Sequence, residues 1–282
     1  MEKVAVVILN YKVKDRLLSC LHSVQDSNYK DLEIFVVDNN SGDELEQEIK
    51  ESSVLHFYQS GANLGYTGGN NIGIKAALAA GAAYILVLNP DTLINPDTIT
   101  LLLSGLKENQ AGIVGPKIYF ANSQKIWFAG GMMDEANVLG SHRGVNEQDR
   151  GQYDTPQEID YATGAALFVK REVFTEIGLF DERFFLYYED SDFCKRARMK
   201  GFKIFYIPTA SLYHANASST GLGSTLQDYY ITRNRLLYAA KFLSIRTQFA
   251  LFREALRNLG SPIRRRAWLD FVFGRFGGTF VK

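Results

Sequence analysis

The sequence predicts an α/β protein built on a mainly parallel central sheet. Apolar runs of strand length alternate with helical patterns through the first hundred residues. Strands that are apolar on both faces and separated by helices are typical of βαβ units. The composition agrees, since a chain of 282 residues with 46% hydrophobic and 22% charged residues forms a substantial core.

The expected elements follow one another at short intervals in the first half. Strands are predicted at 4–9, 33–38, 55–59, 84–89, 112–120 and 125–133. Helices are predicted at 15–24, 42–50 and 70–80.

The second half has a different pattern. Residues 134–158 are polar and lack apolar periodicity, which predicts a long mobile loop. Helices are expected at 171–180 and 189–201, the latter ended by Gly201, and a last strand at 203–208.

Several classes of protein are excluded by simple counts. The two cysteines, Cys20 and Cys194, have no spacing typical of a zinc site or a disulfide framework, so we expect a reducing, cytoplasmic setting. The first apolar run is too short for a signal sequence and is typical of a buried strand. No apolar run reaches the ~20 residues that a transmembrane helix needs.

Polar side chains follow each of the first four predicted strands. They lie at 10–11, 38–40, 60–69 and 89–91. Ligands of an open parallel sheet bind at the carboxyl ends of its strands. The turn after the first strand, NYKVKD, has no glycine, so a dinucleotide-binding enzyme is not expected. The glycine-rich stretch 65–73 can still bring backbone amides to a phosphate.

An ordered series of motifs from Val4 to Leu237 resembles the family-2 glycosyltransferases. It comprises VVILNYK, VVDNNSGD, ANLGYTGGNNIGI, LVLNPDT, ATGAALFVKREVF and GLFDERFFLYYEDSDFCKRARMKGFKIFYIP, followed by His214. The likeness is strongest to the bacterial rhamnosyltransferase-type branch. It implies the glycosyltransferase A fold, a donor that is a nucleotide diphosphate sugar, and inversion of the anomeric centre.

The resemblance assigns a nucleotide pocket to the strand ends. Asp38 corresponds to the aspartate that accepts from the pyrimidine NH, and a turn-capping role is its alternative. The other members of the predicted pocket are Asn10, Tyr11, Asn40, Asn63, Gly65, Asn71 and Asn89. For Asn63, Gly65 and Asn71 the alternative is an ordinary turn followed by a helix cap.

The resemblance also assigns a divalent cation, Mg²⁺ or Mn²⁺, to Asp91. This residue lies at the family's Asp-x-Asp element, whose first aspartate is replaced here by Asn89. Magnesium needs only one or two carboxylates when diphosphate oxygens and water complete its shell. His214 matches a histidine that some relatives use as a further ligand, with a structural role as the alternative.

The tripeptide Asn-Pro-Asp occurs a second time at 95–97. There it precedes a helical pattern, which predicts Asn95 as the N-cap, Pro96 at the first helical position and Asp97 as a first-turn acid. We therefore expect only the first copy to contact a ligand.

The predicted general base is Asp190, with Glu189 beside it. Position 190 matches the family's catalytic aspartate, and both acids begin a predicted helix, where the macrodipole is expected to lower a carboxyl pKa. First-turn acids also stabilise a helix without any catalytic role. Trp127 and Gly164 are predicted acceptor contacts, although strand aromatics more often belong to a core.

The C-terminal segment is strongly basic. Residues 229–282 carry eleven Lys and Arg against two acidic residues, whereas the whole chain has no net charge. We expect a catalytic domain at 1–228, divided near residue 110 into nucleotide-sugar and acceptor halves, and a basic amphipathic helical extension at 229–282. The extension could lie on an anionic membrane, or pack on the catalytic domain or on a second subunit as a homodimer. No nucleic-acid module is recognised.

The sequence favours a metal-dependent inverting transferase that moves a hexose such as rhamnose from dTDP to a saccharide or lipid-linked acceptor of a surface polysaccharide. Donors linked to UDP are the alternative within the class. A non-catalytic nucleotide-sugar binding subunit is the alternative outside it.

Overall fold

The computed structural model describes residues 2–49, 52–215, 223–258 and 260–280. Its strands are β1 (Val4–Asn10), β2 (Leu32–Asp38), β3 (Leu55–Gln59), β4 (Tyr84–Leu88), β5 (Thr92–Ile94), β6 (Ile113–Phe120), β7 (Ile126–Phe128), β8 (Gly131–Asp134), β9 (Leu139–His142), β10 (Gln157–Glu158), β11 (Ala166–Lys170) and β12 (Ile204–His214). Its helices are α1 (Lys14–Gln25), α2 (Gly65–Ala79), α3 (Thr98–Glu108), α4 (Arg171–Ile177), α5 (Glu189–Met199), α6 (Thr225–Phe242), α7 (Ile245–Arg257) and α8 (Pro262–Val272).

One mixed sheet organises the described residues. Its main path runs β10-β12-β6-β11-β4-β1-β2-β3. The pairs among β4, β1, β2 and β3 are parallel, as predicted, whereas β11 runs antiparallel to both β4 and β6. The strands β1 and β4 are buried along their whole length, because helices cover both faces of the sheet. The prediction of a mainly parallel sheet flanked by helices is confirmed.

The 42–50 helix prediction was wrong. Only a short 3-10 helix forms there, at Leu45–Gln47. Lys50 lies outside the described residues. The segment is charged and has one buried position in that turn, Leu45, so it offers no apolar stripe that could hold a longer helix against the sheet.

The 134–158 loop prediction was also wrong in part. Strands β9 and β10 lie within this segment, and β8 pairs with β9 in a two-stranded sheet. The predicted strand 125–133 divides into β7 and β8. Lys117 of β6, which is 2% exposed, donates to Asp149 Oδ2 at 2.9 Å and to Asp154 Oδ1, and so ties the segment to the sheet. Because polar contacts hold this segment in place, its sequence has no apolar periodicity from which the strands could be predicted.

Three boundaries differ from the prediction. Helix α2 begins at Gly65, five residues before the expected start. Its glycines at 69 and 73 belong to the helix and pack under strand side chains: a Cβ on Gly69 would be 2.3 Å from Leu9 Cδ1. Strand β12 continues through His214. Helix α3 begins at Thr98 with Asp97 at the N-cap. Asn95 is not the cap, since its amide donates to Ser211 O at 3.1 Å on β12.

The C-terminal residues form three helices, α6, α7 and α8. Helices α6 and α8 pack on each other and on the body of the protein through a cluster formed by Phe185, Tyr229, Tyr230 and Ala267. Only Leu251 is buried on α7. Helices α6 and α8 therefore pack on the protein, as one of the two alternatives predicted, whereas α7 leaves apolar side chains exposed to solvent. No helix among the described residues is long and apolar enough to span a bilayer.

Candidate active site

Asn10 and Asp38 end neighbouring parallel strands and bond to each other. They are aligned in the β1–β2 register, and the Asn10 amide donates to Asp38 Oδ1 at 2.8 Å and to Ser41 Oγ at 2.9 Å. Asp38 Oδ2 accepts the Ser41 backbone N–H at 3.1 Å, so Asp38 also shapes the turn after β2. Asp38 is 2% exposed, and each of its carboxylate oxygens has further lone pairs, so the turn role does not use its full accepting capacity.

Tyr11 and Asn40 follow these two strand ends directly. Tyr11 is half-buried, with the Lys12 ammonium 5.3 Å from its ring centroid. Asn40 is exposed and has a left-handed φ of +59°. Asparagine tolerates this conformation better than most residues, and it carries the chain sharply away from the sheet edge.

Asn39 is a positioning residue to which the sequence assigns no role. Its side chain is buried, donates to Asn63 Oδ1 at 3.0 Å and to Gly65 O at 3.2 Å, and accepts the Leu64 N–H at 2.9 Å. These bonds fix the loop before α2 to the end of β2. Its place in the polar run after β2 is the one signal that could have identified it.

Gly65 and Asn71 hold α2 against a later part of the chain. Gly65 has φ of +70°, and a Cβ there would be 2.5 Å from Phe185 O, so only glycine fits. Asn71 is 2% exposed; it donates to Phe180 O at 2.9 Å and accepts the Phe180 N–H at 3.1 Å. Asn71 lies inside α2 and is not a helix cap; its side chain holds the turn after α4.

Asp91 and His214 come together at the start of β5 and the end of β12. His214 Nε2 is 3.0 Å from Asp91 Oδ1, and both side chains are more than nine-tenths buried. The antiparallel pairing of Thr92 with His214 sets this distance. Arg16 Nη1 lies 3.9 Å from Asp91 Oδ2.

The Asp91–His214 pair offers one oxygen and one nitrogen donor to a cation. No group of three or more His, Cys, Asp or Glu side chains suited to a metal occurs in the part of the chain that the structure describes. His214 Nδ1 is buried without a hydrogen-bond partner, whereas Nε2 faces the carboxylate. This donor set fits a cation that takes most of its ligands from diphosphate and water.

Trp127 lies next to this pair. Its ring is 4.6 Å from that of His214 and 4.6 Å from that of His142, edge to face in both cases. Trp127 is half-buried, so part of its indole faces solvent beside the candidate metal site. Burial lowers the pKa of His142 to about 4, which keeps that imidazole neutral.

Asp190 is held by backbone amides. Its Oδ2 accepts the Gly164 N–H at 3.1 Å, and its Oδ1 accepts the Ser191 N–H at 2.6 Å. The sequence-based expectation of a lowered pKa was wrong: burial raises the pKa of Asp190, and the donors from Gly164 and Ser191 offset it only in part. A raised pKa makes the carboxylate a stronger base.

Glu189 lies on the other side of Gly164. It is 6% exposed, its Oε2 has no partner, and burial together with Asp190 raises its pKa well above the usual range. Tyr66 donates to Gly164 O at 2.6 Å, and a Cβ on Gly164 would be 2.8 Å from that hydroxyl and 3.6 Å from Glu189 Oε1. Gly164 thus contacts both the acids and Tyr66 of α2. The sequence gives no sign that Tyr66 takes part.

The two acidic centres sit on neighbouring backbone. Strand β4 pairs with β11, and the Asn89 N–H donates to Ala165 O at 3.0 Å. Asp91 lies two residues after Asn89, which bonds to the Gly164–Ala165 turn. The Gly164 N–H of the same turn donates to Asp190. The predicted residues thus fall into three contact groups: Asn10 with Asp38, Asp91 with His214 and Trp127, and Gly164 with Glu189 and Asp190.

A mixed sheet with its polar residues at the carboxyl ends of the parallel strands, and an acidic helix start beside the antiparallel strand, is the architecture of glycosyltransferases with the A fold. The sequence pattern of the family described as "Glycosyl transferase family 2" matches residues 5–178. The chain belongs to that family.

Three curated relatives are similar over most of the chain. A low-salt glycan biosynthesis hexosyltransferase of Haloferax volcanii is 30% identical over 86% of this chain and 78% of its own. An N-acetylglucosaminyl-diphospho-decaprenol L-rhamnosyltransferase of Mycobacterium tuberculosis is 28% identical over 77% of both chains. A dTDP-rhamnosyl transferase of Shigella flexneri is 27% identical over 96% of both. The chain is thus a glycosyltransferase close to the rhamnosyltransferase branch.

Solved structures share the fold. GalNAc-T7 with UDP, GalNAc and Mn²⁺ has a TM-score of 0.65 at 17% identity over 83% of this chain. This chain spans about half of GalNAc-T7, 47% of its length. A mannosyltransferase of Pyrobaculum calidifontis in complex with GDP-Man and Mn²⁺ has a TM-score of 0.59 at 16% identity, over 96% of this chain and 74% of its own.

Proposed function

We propose that this glycosyltransferase inverts the anomeric centre while moving rhamnose or another hexose from a nucleotide diphosphate sugar to a saccharide or lipid-linked saccharide of a surface polysaccharide. The observation that carries the proposal is the contact between the two strand ends: the Asn89 N–H, two residues before Asp91, bonds to Ala165 O, and the adjacent Gly164 N–H bonds to Asp190 Oδ2. The rhamnosyltransferases among its relatives, one acting on a diphospho-decaprenol and one on dTDP-rhamnose by their names, support the choice of donor and acceptor.

Asp190 is the proposed general base. It takes the proton of the acceptor hydroxyl as that oxygen attacks the anomeric carbon on the face opposite the departing diphosphate, which inverts the centre. The raised pKa of Asp190 strengthens it as a proton acceptor. Burial and the neighbouring Asp190 raise the pKa of Glu189 well above its usual range, which disfavours a second negative charge beside the base. The acceptor contact proposed for Gly164 would be made through its backbone, because the Tyr66 hydroxyl lies only 2.8 Å from where a Cβ would stand.

Asp38, Asn10 and the loop that Asn39 fixes are proposed to bind the nucleotide, with dTDP or UDP as the carrier. Asp91 and His214 would hold Mn²⁺ or Mg²⁺, which stabilises the charge that develops on the diphosphate. The nitrogen donor of His214 favours Mn²⁺, because Mg²⁺ prefers oxygen ligands. Trp127 is proposed to place its exposed edge against a sugar.

The C-terminal helix α7 supports a peripheral membrane location, on the cytoplasmic face where nucleotide sugars are made. Ile245, Phe249, Phe252 and Leu256 recur at helical intervals along one face, and Ile245 and Phe249 are 76% and 61% exposed. Ile245, Phe249 and Phe252 border an apolar groove of about 200 Å³. Arg246, Arg253 and Arg257 are exposed, and at 3.6 residues per turn their positions fall along one side of this stripe. Apolar stripes with adjacent arginines bind anionic bilayers.

Donor binding is the decisive experiment. The melting temperature is measured with dTDP-rhamnose, UDP-glucose and UDP-N-acetylglucosamine, each with and without Mn²⁺, because a ligand of the folded state raises it. We expect the largest shift with dTDP-rhamnose and Mn²⁺. No shift with any nucleotide sugar would refute donor binding. Full transfer by Asp190→Asn would refute the base, and donor binding without transfer to any acceptor would favour a non-catalytic binding subunit.

A further inference from the structure

The residues just before Glu189 and Asp190 have an unfavourable backbone. Phe185, Tyr187 and Tyr188 all have left-handed φ values, of +66°, +67° and +71°. Bulky residues with Cβ atoms adopt this conformation only where surrounding contacts hold it. The segment 183–188, called here the pre-catalytic segment, leads directly into the first turn of α5, and Tyr188 O accepts the Asp192 N–H at 2.8 Å.

Asn234 of α6 holds three carbonyls of the pre-catalytic segment. Its side-chain nitrogen lies 2.9 Å from Phe184 O, 2.8 Å from Leu186 O and 2.8 Å from Tyr187 O. The side chain is fully buried, so water does not compete for these acceptors. The three oxygens point to one amide because the backbone turns through left-handed residues.

Arg233, the preceding residue, uses all five of its N–H groups. Its Nη2 donates to Arg183 O at 3.0 Å and to Phe184 O at 2.9 Å, and its Nε donates to Asn234 Oδ1 at 3.0 Å. Its Nη1 donates to Gly277 O at 2.8 Å and to Thr279 Oγ1 at 3.3 Å. The guanidinium is fully buried and has no ion pair within the described ranges.

The pre-catalytic segment also contacts the donor side. Phe185 O accepts the Thr67 N–H at 3.2 Å in the first turn of α2. The same oxygen lies so close to residue 65 that only glycine fits at that position. The same backbone therefore sets where α5 begins and where α2 begins. Carbonyls turned inward by this segment need donors, because buried acceptors without partners are costly.

We propose that Arg233 and Asn234 are positioning residues for the catalytic centre: by binding the carbonyls of residues 183–187 they hold the pre-catalytic segment in the conformation that places Asp190. This inference rests on the proposed role of Asp190. Neither side chain touches the acids. They act through backbone, which links the C-terminal helices to the start of α5.

The test compares Asn234→Asp with Arg235→Gln. Asn234→Asp keeps the shape of the side chain but replaces the amide donor by an acceptor, which repels all three carbonyls. Arg235 lies on the same helix and bonds to Asn137 O and to Glu254, neither of which belongs to the segment. Hydrogen exchange of the backbone amides in 183–192 is measured first, because it needs no substrate.

We expect Asn234→Asp to raise exchange in 183–192 at least tenfold while β1 to β4 remain protected, and Arg235→Gln to leave it unchanged. In the transfer assay kcat should fall at least tenfold, with the affinity for the nucleotide changed less than threefold. Tyr187→Gly in the Asn234→Asp background should recover part of kcat, because glycine adopts the left-handed conformation without steric cost.

If hydrogen exchange in 183–192 is unchanged in a folded Asn234→Asp protein, the proposal is overturned. It is also overturned if the native protein transfers sugar and the kcat of Asn234→Asp equals the native kcat. Loss of nucleotide affinity in parallel with kcat, or equal effects in Arg235→Gln, would show general destabilisation instead. If Asn234→Asp does not fold, Asn234→Ser, which keeps one donor, is judged by the same criteria. If the native protein transfers no sugar, the proposed function is refuted. The exchange result would still decide whether Asn234 holds the pre-catalytic segment in place.

Discussion

The backbone N–H of Gly164 donates to Asp190 Oδ2 at 3.1 Å, so the turn before β11 aims the proposed base. Substituting Gly164 by alanine would place a methyl group 2.8 Å from the Tyr66 hydroxyl and displace that turn. We expect the transfer rate of Gly164→Ala to fall by ~10²-fold, the size of effect that a displacement of ~1 Å produces. Gly260→Ala, where a Cβ meets no atom within 4 Å, is the control. A native rate in Gly164→Ala would exclude this positioning role.

Asp91 and Asp97 end the two Asn-Pro-Asp copies and allow a matched comparison. Asp91→Asn should weaken the Mn²⁺-dependent part of nucleotide binding by at least ~10-fold, because it removes the anionic donor of the candidate site. Asp97→Asn should leave it unchanged, since Asp97 bonds to Asn28 at the start of α3. Titration of nucleotide with and without Mn²⁺ measures both. Equal effects in the two variants would contradict the assignment.

His142 gives a pH dependence of stability. Burial lowers its pKa to about 4 in the folded state, from an ordinary value near 6.5. The unfolded chain therefore binds more protons between these values, and stability should be lost as pH falls through that window. One such group gives at most ~1.4 kcal/mol per pH unit. Urea unfolding of His142→Gln between pH 7 and pH 4 should show a shallower loss, whereas His22→Gln, at an exposed site, should not.

Asn71 joins α2 to the turn after α4 through three hydrogen bonds. Asn71→Ala leaves the buried N–H and C=O of Phe180 without partners, so we expect the free energy of unfolding to fall by about 1–3 kcal/mol. Urea denaturation is the measurement, and Lys75→Ala on the exposed side of α2 is the control. A loss of nucleotide affinity with unchanged stability would instead indicate direct contact with the donor, as the family resemblance implies.

The apolar stripe of α7 can be tested by flotation with vesicles. Phe249→Asp should reduce binding to anionic vesicles at least ~10-fold, because it places a charge in the stripe. Ala250→Asp makes the same change of charge at the next, also exposed, position and should have a smaller effect. Neutral vesicles should bind neither variant nor the native protein strongly. If the native protein does not float but dimerises, and Phe249→Asp prevents the dimer, the stripe is an interface with a second copy.

The parallel half of the fold was readable from sequence, and the reason is physical. Strands such as Val4–Asn10 are buried on both faces, so they appear as unbroken apolar runs, and their polar ends mark the ligand edge. The glycines of α2 concealed the start of that helix, because glycine is usual in turns. Two of them instead allow close packing on the strands: a Cβ on Gly69 would be 2.3 Å from Leu9, and a Cβ on Gly73 would be 2.5 Å from Val7.

The sequence names candidate side chains of the site, but it does not show the backbone that holds them. Asp91, His214 and Asp190 were predicted from the family resemblance, and the structure brings Asp91 and His214 into contact and places Asp190 against the Gly164 amide. Asn39, Arg233 and Asn234 were missed as positioning residues, because the carbonyls and amides that they bind leave no mark in the sequence. The pKa of Asp190 was predicted in the wrong direction, since a helix start is visible in sequence and the burial around it is not.

The bonds of Arg233 to residues 183–184 and to residues 277–279 have a consequence for the order in which the chain folds. The Arg233 guanidinium reaches 44 residues further along the chain to bond to Gly277 O. During synthesis the start of α5 is made well before residues 277–279, so Arg233 can complete its bonds only after that later stretch has been made and has left the ribosome. The parallel half of the sheet can form earlier, whereas the start of α5 acquires its final geometry later.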